Sequence, residues 1–365
     1  MKAKTSRTSS KPRSRGVAAR GAAVQNKKNV RGRRMDICLG FRVPVWLANM
    51  SHPILLVFCF MAGIFSSTPM LWFETATMLV VATCGFTLLF CGLWEVLVEH
   101  VFSVPIGERL QSSKQEGPKY LQEAVGTASC MFVFATLVAW PVTQARRGDP
   151  TLFKATLVEC VPEFARGDLA YGPELFYQGK TLAILFIADL HTFFKHYCLH
   201  SPALYAFHKP HHAFHNPSTF ACFAIHPFEA LWTFCPILLI CCVDVCPGWD
   251  EVAGLYAPWH APLLVSFGFL NMYLHCGYRV PLLEGTLPYL YLNTSVWHNK
   301  HHELSVAHFG EILTLWDHIL GTHSGSWDRQ FYAQQSLSVA KGKSGMDDAM
   351  DTKIRKSTRR EERVT

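Results

Sequence analysis

The sequence predicts an all-α, polytopic membrane bundle carrying a histidine-rich helical cap on its cytosolic side. Three observations lead there. Of the 365 residues, 50% are apolar and only 17% charged, against roughly 25% charged in ordinary soluble domains. Several apolar stretches approach the ~20 residues needed to cross a bilayer as helix. And sixteen of the eighteen histidines fall after residue 190, many at helical spacing.

The chain opens on a basic segment. Its first 34 residues hold twelve Lys or Arg and no acid, and they supply much of the formal charge of +7. The segment lacks the apolar run of a secretory signal. A disordered cytosolic tail lying near anionic lipid is the leading reading. An Arg/Ser-rich mitochondrial transit peptide is a second. A nucleic-acid arm is disfavoured, because nothing downstream resembles a nucleic-acid module.

Six apolar stretches follow: about 52–72, 75–98, 124–142, one starting at Thr181, then about 229–246 and 255–275. The fourth and sixth become polar at their C-terminal ends, so they are expected to carry residues out of the hydrocarbon. The resulting division is a basic tail (1–45), membrane helices with a connecting loop (46–180), a histidine-rich segment (181–323) and a polar tail (324–365). A cytosolic N-terminus follows from the positive-inside rule. Four passes and then a hairpin of two bring every histidine cluster to one face. Arg146 and Arg147 then fall on the lumenal side, balanced by Asp149, Glu159 and Glu163.

The thirteen cysteines sit in apolar runs such as FCFMAG and LICCVDVC, with no disulfide or metal spacing. They read as small buried hydrophobes in a reducing setting.

The histidines carry the chemistry. His196 and His200 are four apart; His208, His211 and His212 stand at i, i+3 and i+4; His298, His301 and His302 repeat that spacing; His275 closes the sixth apolar stretch. On helices each set shares a face. One such motif is weak, but two HxxHH copies, an HxxxH and a helix-terminal histidine together specify a metal cage. Nine imidazoles exceed one tetrahedral zinc, which takes four, and suit two six-coordinate ions with open positions. Imidazole serves iron, zinc, copper or nickel. Carboxylates commonly orient such rings, with Asp189, Glu229 and Asp317 as candidates. His191 and His226 are more naturally structural or supporting, and His226 is placed to pair with Glu229. His215, before Asn216-Pro217, reads as a cap or an exposed residue.

At this point the residues resemble a known group. The segment DLHTFFKHYCLHSPALYAFHKPHHAFHNPSTFACFAIHPFE, followed by HCGYRVP and SVWHNKHHELSVAHFGEILTLWDHILGTH, is similar to the fatty acid hydroxylase and sterol desaturase superfamily over roughly 181–323. The resemblance implies a non-haem diiron site, molecular oxygen (O2) as co-substrate, and electrons from cytochrome b5 and a nicotinamide-dependent reductase. It implies residence in the endoplasmic reticulum membrane, with the histidine cap and both termini cytosolic. The matching ligand positions are His196, His200, His208, His211, His212, His275, His298, His301 and His302. HKPHH, GYRVP and TLWDHI lean toward the sterol C-5 desaturase branch; HPFE and HILGTH look more like sterol methyl oxidases and sphingoid-base or fatty acid hydroxylases. Three positions depart from the family pattern: Phe193 where Tyr is common, Tyr197 where Arg is common, and His308 where Asn is usual. His308 would add a ligand or a hydrogen-bond donor.

Removing hydrogen from an unactivated C–H bond is beyond any amino-acid acid or base, so a cofactor must carry that step. The rival from another class is a membrane metal-binding or transport protein. It should place ionisable residues in the middle of its spans, whereas here the histidines gather at span ends. A zinc hydrolase would want a carboxylate within its metal motif, as in HExxH.

Overall fold

Long apolar helices frame the bundle, and the break between the first two is set by proline and glycine rather than by any fall in hydropathy. The computed structural model describes residues 41–97, 110, 118–148, 153–154, 172–242 and 255–324. Helices are numbered over these residues. Helix α1, Val45–Met61, runs into a 3-10 turn, Ala62–Phe65, and α2 is Pro69–Val96. Pro69 occupies the first turn of α2, where its missing N–H is no loss. The break therefore falls at 66–68, inside the stretch 52–72 that hydropathy treats as one span. Trp72 lies so close over Gly63 that a Cβ there would stand 1.8 Å from its ring.

Helix α3, Tyr120–Arg146, packs along α2, and α4 is Gly172–Leu199, beginning nine residues before the expected Thr181. Among the described residues, four helical segments are long and apolar enough to cross a membrane: Val45–Phe65, Pro69–Val96, Tyr120–Arg146 and Glu174–Leu199. The last qualifies despite its polar C-terminal end. The chain is thus a polytopic helical membrane protein. A shorter pair follows, α6 (Pro227–Cys242) and α7 (Ala257–His275). The cap is built from α5 (Tyr205–His212), α8 (Pro281–Thr286), α9 (Ser295–Leu304) and α10 (Leu315–Leu320), with a 3-10 turn at Leu287–Leu290. The β-structure among the described residues is slight: a two-residue parallel pair, β1 (Phe153–Lys154) with β2 (Leu255–Tyr256), and an isolated bridge between Leu292 and Leu313.

Contacts divide the chain at Thr322 and His323, and the fold described is that of the first unit. The basic segment before residue 41, most of the connection between α3 and α4, residues 243–254 and the polar segment beyond 324 lie outside the described residues.

The core is a set of linked clusters. Cys59 of α1 meets Cys130, Met131 and Val133 of α3 and Phe234 of α6. Cys91 of α2 meets Cys222 and Met272 of α7. Glu95 and Glu123, both buried, hold the loop between α5 and α6. Glu95 accepts from Thr219 N at 2.5 Å; Glu123 accepts from Ser218 N at 3.2 Å and from the Ser218 hydroxyl. Gly126 lets α3 approach this loop, since a Cβ there would stand 2.9 Å from that of Ala224. At the far end of α3, Arg146 pairs with Glu74 at 2.9 Å and donates to Thr75. That gives the basic pair a partner within the bundle, in addition to the acids that follow it in sequence.

Candidate metal centre

Two short helices and two helix ends bring the histidines together. His196 and His200 leave the C-terminal end of α4, His208, His211 and His212 line α5, and His298, His301 and His302 line α9. His275 ends α7. Helix α9 is set by its caps: Thr294 accepts from Trp297 N at 3.3 Å, and Ser305 closes the other end in the left-handed conformation with φ 54°.

All nine rings are buried. They sort into two groups, His196, His200, His208, His212 and His301, and His211, His275, His298 and His302, with the ligand atoms of each lying within 4.8 Å of one another. The i, i+3, i+4 sets are thereby divided. α5 gives two rings to the first group and one to the second; α9 gives one and two.

The nitrogens that meet are Nε2 throughout. His196 faces His208 at 3.1 Å, His200 faces His301 at 3.1 Å and His212 faces His301 at 3.0 Å. In the second group His298 faces His275 at 3.0 Å, His302 faces His298 at 3.2 Å and His275 faces His211 at 3.5 Å. For a metal–imidazole bond of ~2.1 Å, neighbouring ligands at right angles stand ~3.0 Å apart and tetrahedral ones ~3.4 Å apart. Most of these separations match the right-angled edge.

The other ring nitrogens fix the tautomers. His196 Nδ1 donates to the Phe309 carbonyl at 2.8 Å, His301 Nδ1 to the Ala307 carbonyl at 2.8 Å, and His275 Nδ1 to the Asn271 carbonyl at 2.9 Å. His208 Nδ1 donates to Glu229 Oε2 at 2.8 Å. A neutral ring that donates at Nδ1 offers only a lone pair at Nε2. His196 and His208 therefore point two lone pairs at each other, which is repulsive unless a cation lies between them. Burial, reinforced by neighbouring imidazoles, holds His211, His212, His298 and His302 well below the usual histidine range, and burial pushes His301 down to about 3. Neutral imidazole is the ligating form, so this donor set fits two metal ions.

Around the rings lies a charged shell that only partly follows the sequence expectations. Glu229 bonds His208 directly, and its other oxygen stands 3.6 Å from Lys195 Nζ. Lys195, 3% exposed, also binds Glu311 at 2.9 Å and the Thr233 hydroxyl at 3.1 Å. Spacing did not single out Lys195 or Glu311; a lysine beside a ligand on a helix reads from sequence as a surface charge.

Asp189 and Asp317 touch no ring. Asp189 accepts from Leu313 N at 3.1 Å and Trp316 Nε1 at 2.6 Å. Asp317 accepts from Phe309 N at 2.9 Å, Gly310 N at 2.8 Å and the Thr322 hydroxyl at 2.6 Å. Both hold the loop whose carbonyls orient His196 and His301.

His191 Nε2 donates to the Trp232 carbonyl at 2.9 Å. The hydrogen bonds of His226 go to the Ala48 carbonyl at 2.9 Å and from Phe228 N at 3.0 Å, tying α6 to α1, rather than to Glu229. His308 lies outside both groups, with its ring edge-on to Trp297 at 4.0 Å. Its φ of 64° is left-handed, a region in which Asn, Asp and His are enriched, which explains why His can stand where Asn is usual. Phe193 and Tyr197 pack with Phe309 behind His196. His215 is exposed.

One cavity adjoins the rings, and a second shares part of its wall. A small one, about 40 Å³, touches both histidine groups together with Lys195, Glu229 and Glu311. A larger one, about 360 Å³, lies among α2, α3, α6 and α7. Phe223, Phe234 and Phe267 line both.

Residues 181–322 match the family described as fatty acid hydroxylase. The segment is similar to fatty acid hydroxylases, and it makes up less than half of the chain. The chain is also similar to curated sterol enzymes. It is 29% identical over 153 residues to the lathosterol oxidase of Rattus norvegicus, covering 41% of this chain and 47% of that protein. It is 28% identical over 174 residues to the Delta(7)-sterol 5(6)-desaturase erg3A of Aspergillus fumigatus, covering 44% and 42%. It is 27% identical over 143 residues to the human lathosterol oxidase, covering 39% and 44%. The chain spans less than half the length of these three relatives. No solved structure matches. All nine clustered histidines lie within the matched segment.

Proposed function

We propose that this chain is a membrane-bound, O2-dependent, non-haem diiron lipid oxidoreductase, a sterol desaturase or oxidase acting in sterol biosynthesis. The observation that carries the reading is the convergence of nine buried Nε2 atoms into two groups, both touching a small cavity that shares three phenylalanines with an apolar one. The five-ring group would hold one iron and the four-ring group the other. When bound, two irons with O2 supply the oxidant that removes hydrogen from an unactivated C–H bond, which protein side chains lack.

Everything else is the work of the chain's own residues. Glu229 and the Ala307, Phe309 and Asn271 carbonyls fix four of the rings as Nδ1–H tautomers, so that each presents a lone pair at Nε2. Lys195 lies between Glu229 and Glu311 and offsets one of their two charges beside the site. Phe223, Phe234 and Phe267 exclude water between the two cavities and hold an apolar substrate below the rings.

The endoplasmic reticulum membrane is the proposed location, with the cap and both termini cytosolic. There cytochrome b5 and a nicotinamide-dependent reductase can deliver electrons. Glu229 within HPFE supports a second reading from the same superfamily, a fatty acid or sphingoid-base hydroxylase. A transporter is disfavoured because both groups close on themselves at helix ends, with rings locked by backbone carbonyls.

Lipid profiling of cells lacking the protein, together with metal analysis of purified chain, tests the reading. Accumulation of a sterol without its ring-B double bond selects the desaturase, and loss of hydroxylated sphingolipid selects the alternative. About two irons per chain are expected by family analogy, and His298→Ala should abolish turnover. Stoichiometric zinc alone with no oxygen-dependent turnover would overturn the oxidase.

A further inference from the structure

The two cavities differ sharply in chemistry although three phenylalanines join them. The small one carries Lys195, Glu229, Glu311, Asn271 and the histidines. The large one is apolar except for the hydroxyls of Thr83 and Thr87, and Thr83 donates its own to Leu79 O at 2.8 Å. We propose that the large cavity holds the apolar body of an amphipathic lipid lying polar end first beneath the histidines. The carbons oxidised are then within a few bonds of that polar end, and Gly268 sets how wide a body is admitted. This deepens, and rests on, the reading of the chain as a lipid oxidase.

Depth supports it. On α7, Gly268 is seven residues and Val265 ten residues before His275, or ~10 and ~15 Å along a helix rising 1.5 Å per residue. On α3, Met131 and Phe134 lie eight and eleven residues beyond Glu123, which marks the cap end, again ~12 to 16 Å. The chamber thus extends away from the cap, and at its cap-side end Phe223, Phe234 and Phe267 separate it from the small cavity that the histidines line.

Its sides are open to lipid. Phe86 of α2 and Val265 of α7 line it and are 46% and 42% exposed. At about 40 Å³ the small cavity has room on the order of one or two water molecules, enough for a hydroxyl or small head and too little for a chain segment. The reverse orientation would press hydrocarbon against Lys195, Glu229 and Glu311 and strand the head where only two hydroxyls could meet it, a costly desolvation. A lipid oxidised at mid-chain would need apolar space on both sides of the rings.

Gly268 is the control point. It lines the chamber, and a Cβ added there meets nothing within 4 Å. A larger side chain would fill the chamber without clashing with the fold, and in a helix it should not weaken α7.

The test uses purified full-length protein in nanodiscs with a tritiated Δ7-3β-hydroxysterol, and measures metal content and melting alongside binding. Wild type should bind the free alcohol at least tenfold more tightly than its 3-O-methyl ether, and should bind a side-chain-shortened analogue about as well as the parent. Gly268→Leu should weaken sterol binding at least tenfold with metal content and melting unchanged, and Gly268→Ala should fall between. Undiminished binding by Gly268→Leu, or equal binding of alcohol and ether, would overturn the proposal while leaving the oxidase reading standing. If wild type ignores the sterol but binds a long-chain base or fatty acid through its free polar end, sensitively to Gly268→Leu, the sterol assignment falls and the chamber orientation holds.

Discussion

Glu229 is where a single substitution tests the charged shell and the metal cage together. Its Oε2 accepts from His208 Nδ1 at 2.8 Å, and its Oε1 stands 3.6 Å from Lys195 Nζ, with both partners buried. At 3.6 Å and an effective dielectric near 20, the gross attraction to Lys195 is about 4.6 kcal/mol. Only part of this survives as net stability, because Lys195 keeps Glu311 at 2.9 Å. The charge-assisted bond to His208 adds roughly 1.5–3 kcal/mol. Glu229→Ala should therefore destabilise the protein by about 3 kcal/mol. It should also lower metal affinity by roughly 10- to 100-fold, since His208 loses the acceptor that fixes its tautomer. Glu229→Gln keeps an acceptor for His208 but loses the charge, so it should show about half the stability loss and retain most of the metal. Denaturant unfolding of metal-free protein in detergent, paired with elemental analysis after graded chelation, separates the two effects. Equal behaviour of the Gln and Ala variants, or full metal retention by Glu229→Ala, would refute the claim that this carboxylate orients His208.

Three further outcomes are expected. Gly63→Ala forces a Cβ to within 1.8 Å of the Trp72 ring and should cost about 1–3 kcal/mol by overpacking, seen as a lowered melting temperature; unchanged melting would mean the α1–α2 turn is looser than described. Thr294→Ala removes the acceptor for Trp297 N at 3.3 Å and should cost about 1 kcal/mol, with α9 exchanging its amide hydrogens faster; unaltered exchange would deny the cap its role. For metal-free protein, pH acts through rings such as His301, which burial pushes down from the usual histidine value of ~6.5 to about 3. Unfolded histidines take up protons below ~6.5 while folded His301 does not until about 3, so stability should fall as pH drops across that window, by at most ~1.4 kcal/mol per pH unit per ring, and be flat above it. Unfolding curves at pH 5 and 8 check the sign, and greater stability at pH 5 would refute it.

The sequence showed the chemistry more fully than the shape. Spacing put three rings on one face of α5 and three on one face of α9, and one long run of the chain named a family. It did not show which rings share a site. Residues at i+3 and i+4 of a helix lie about 100° apart around its axis, so a single face is wide enough to serve two neighbouring sites. Only packing α5 against α4, α7 and α9 sends His211 one way and His212 the other. Span boundaries were similarly veiled. The residues around the α1–α2 break are apolar on both sides, and the break is made by Pro69 and by Trp72 over Gly63, a contact hydropathy does not register.

What the sequence by itself determined, then, is an oily helical chain with nine histidines at ligand spacing, because periodicity and composition are local properties. What only the tertiary structure decided is the division into five and four, the backbone carbonyls that fix the tautomers, and the burial of Lys195 between Glu229 and Glu311. It also decided the apolar chamber running down from the rings. Each of these depends on segments distant in sequence meeting in space, and no local pattern records where a loop carbonyl or a cavity wall will fall.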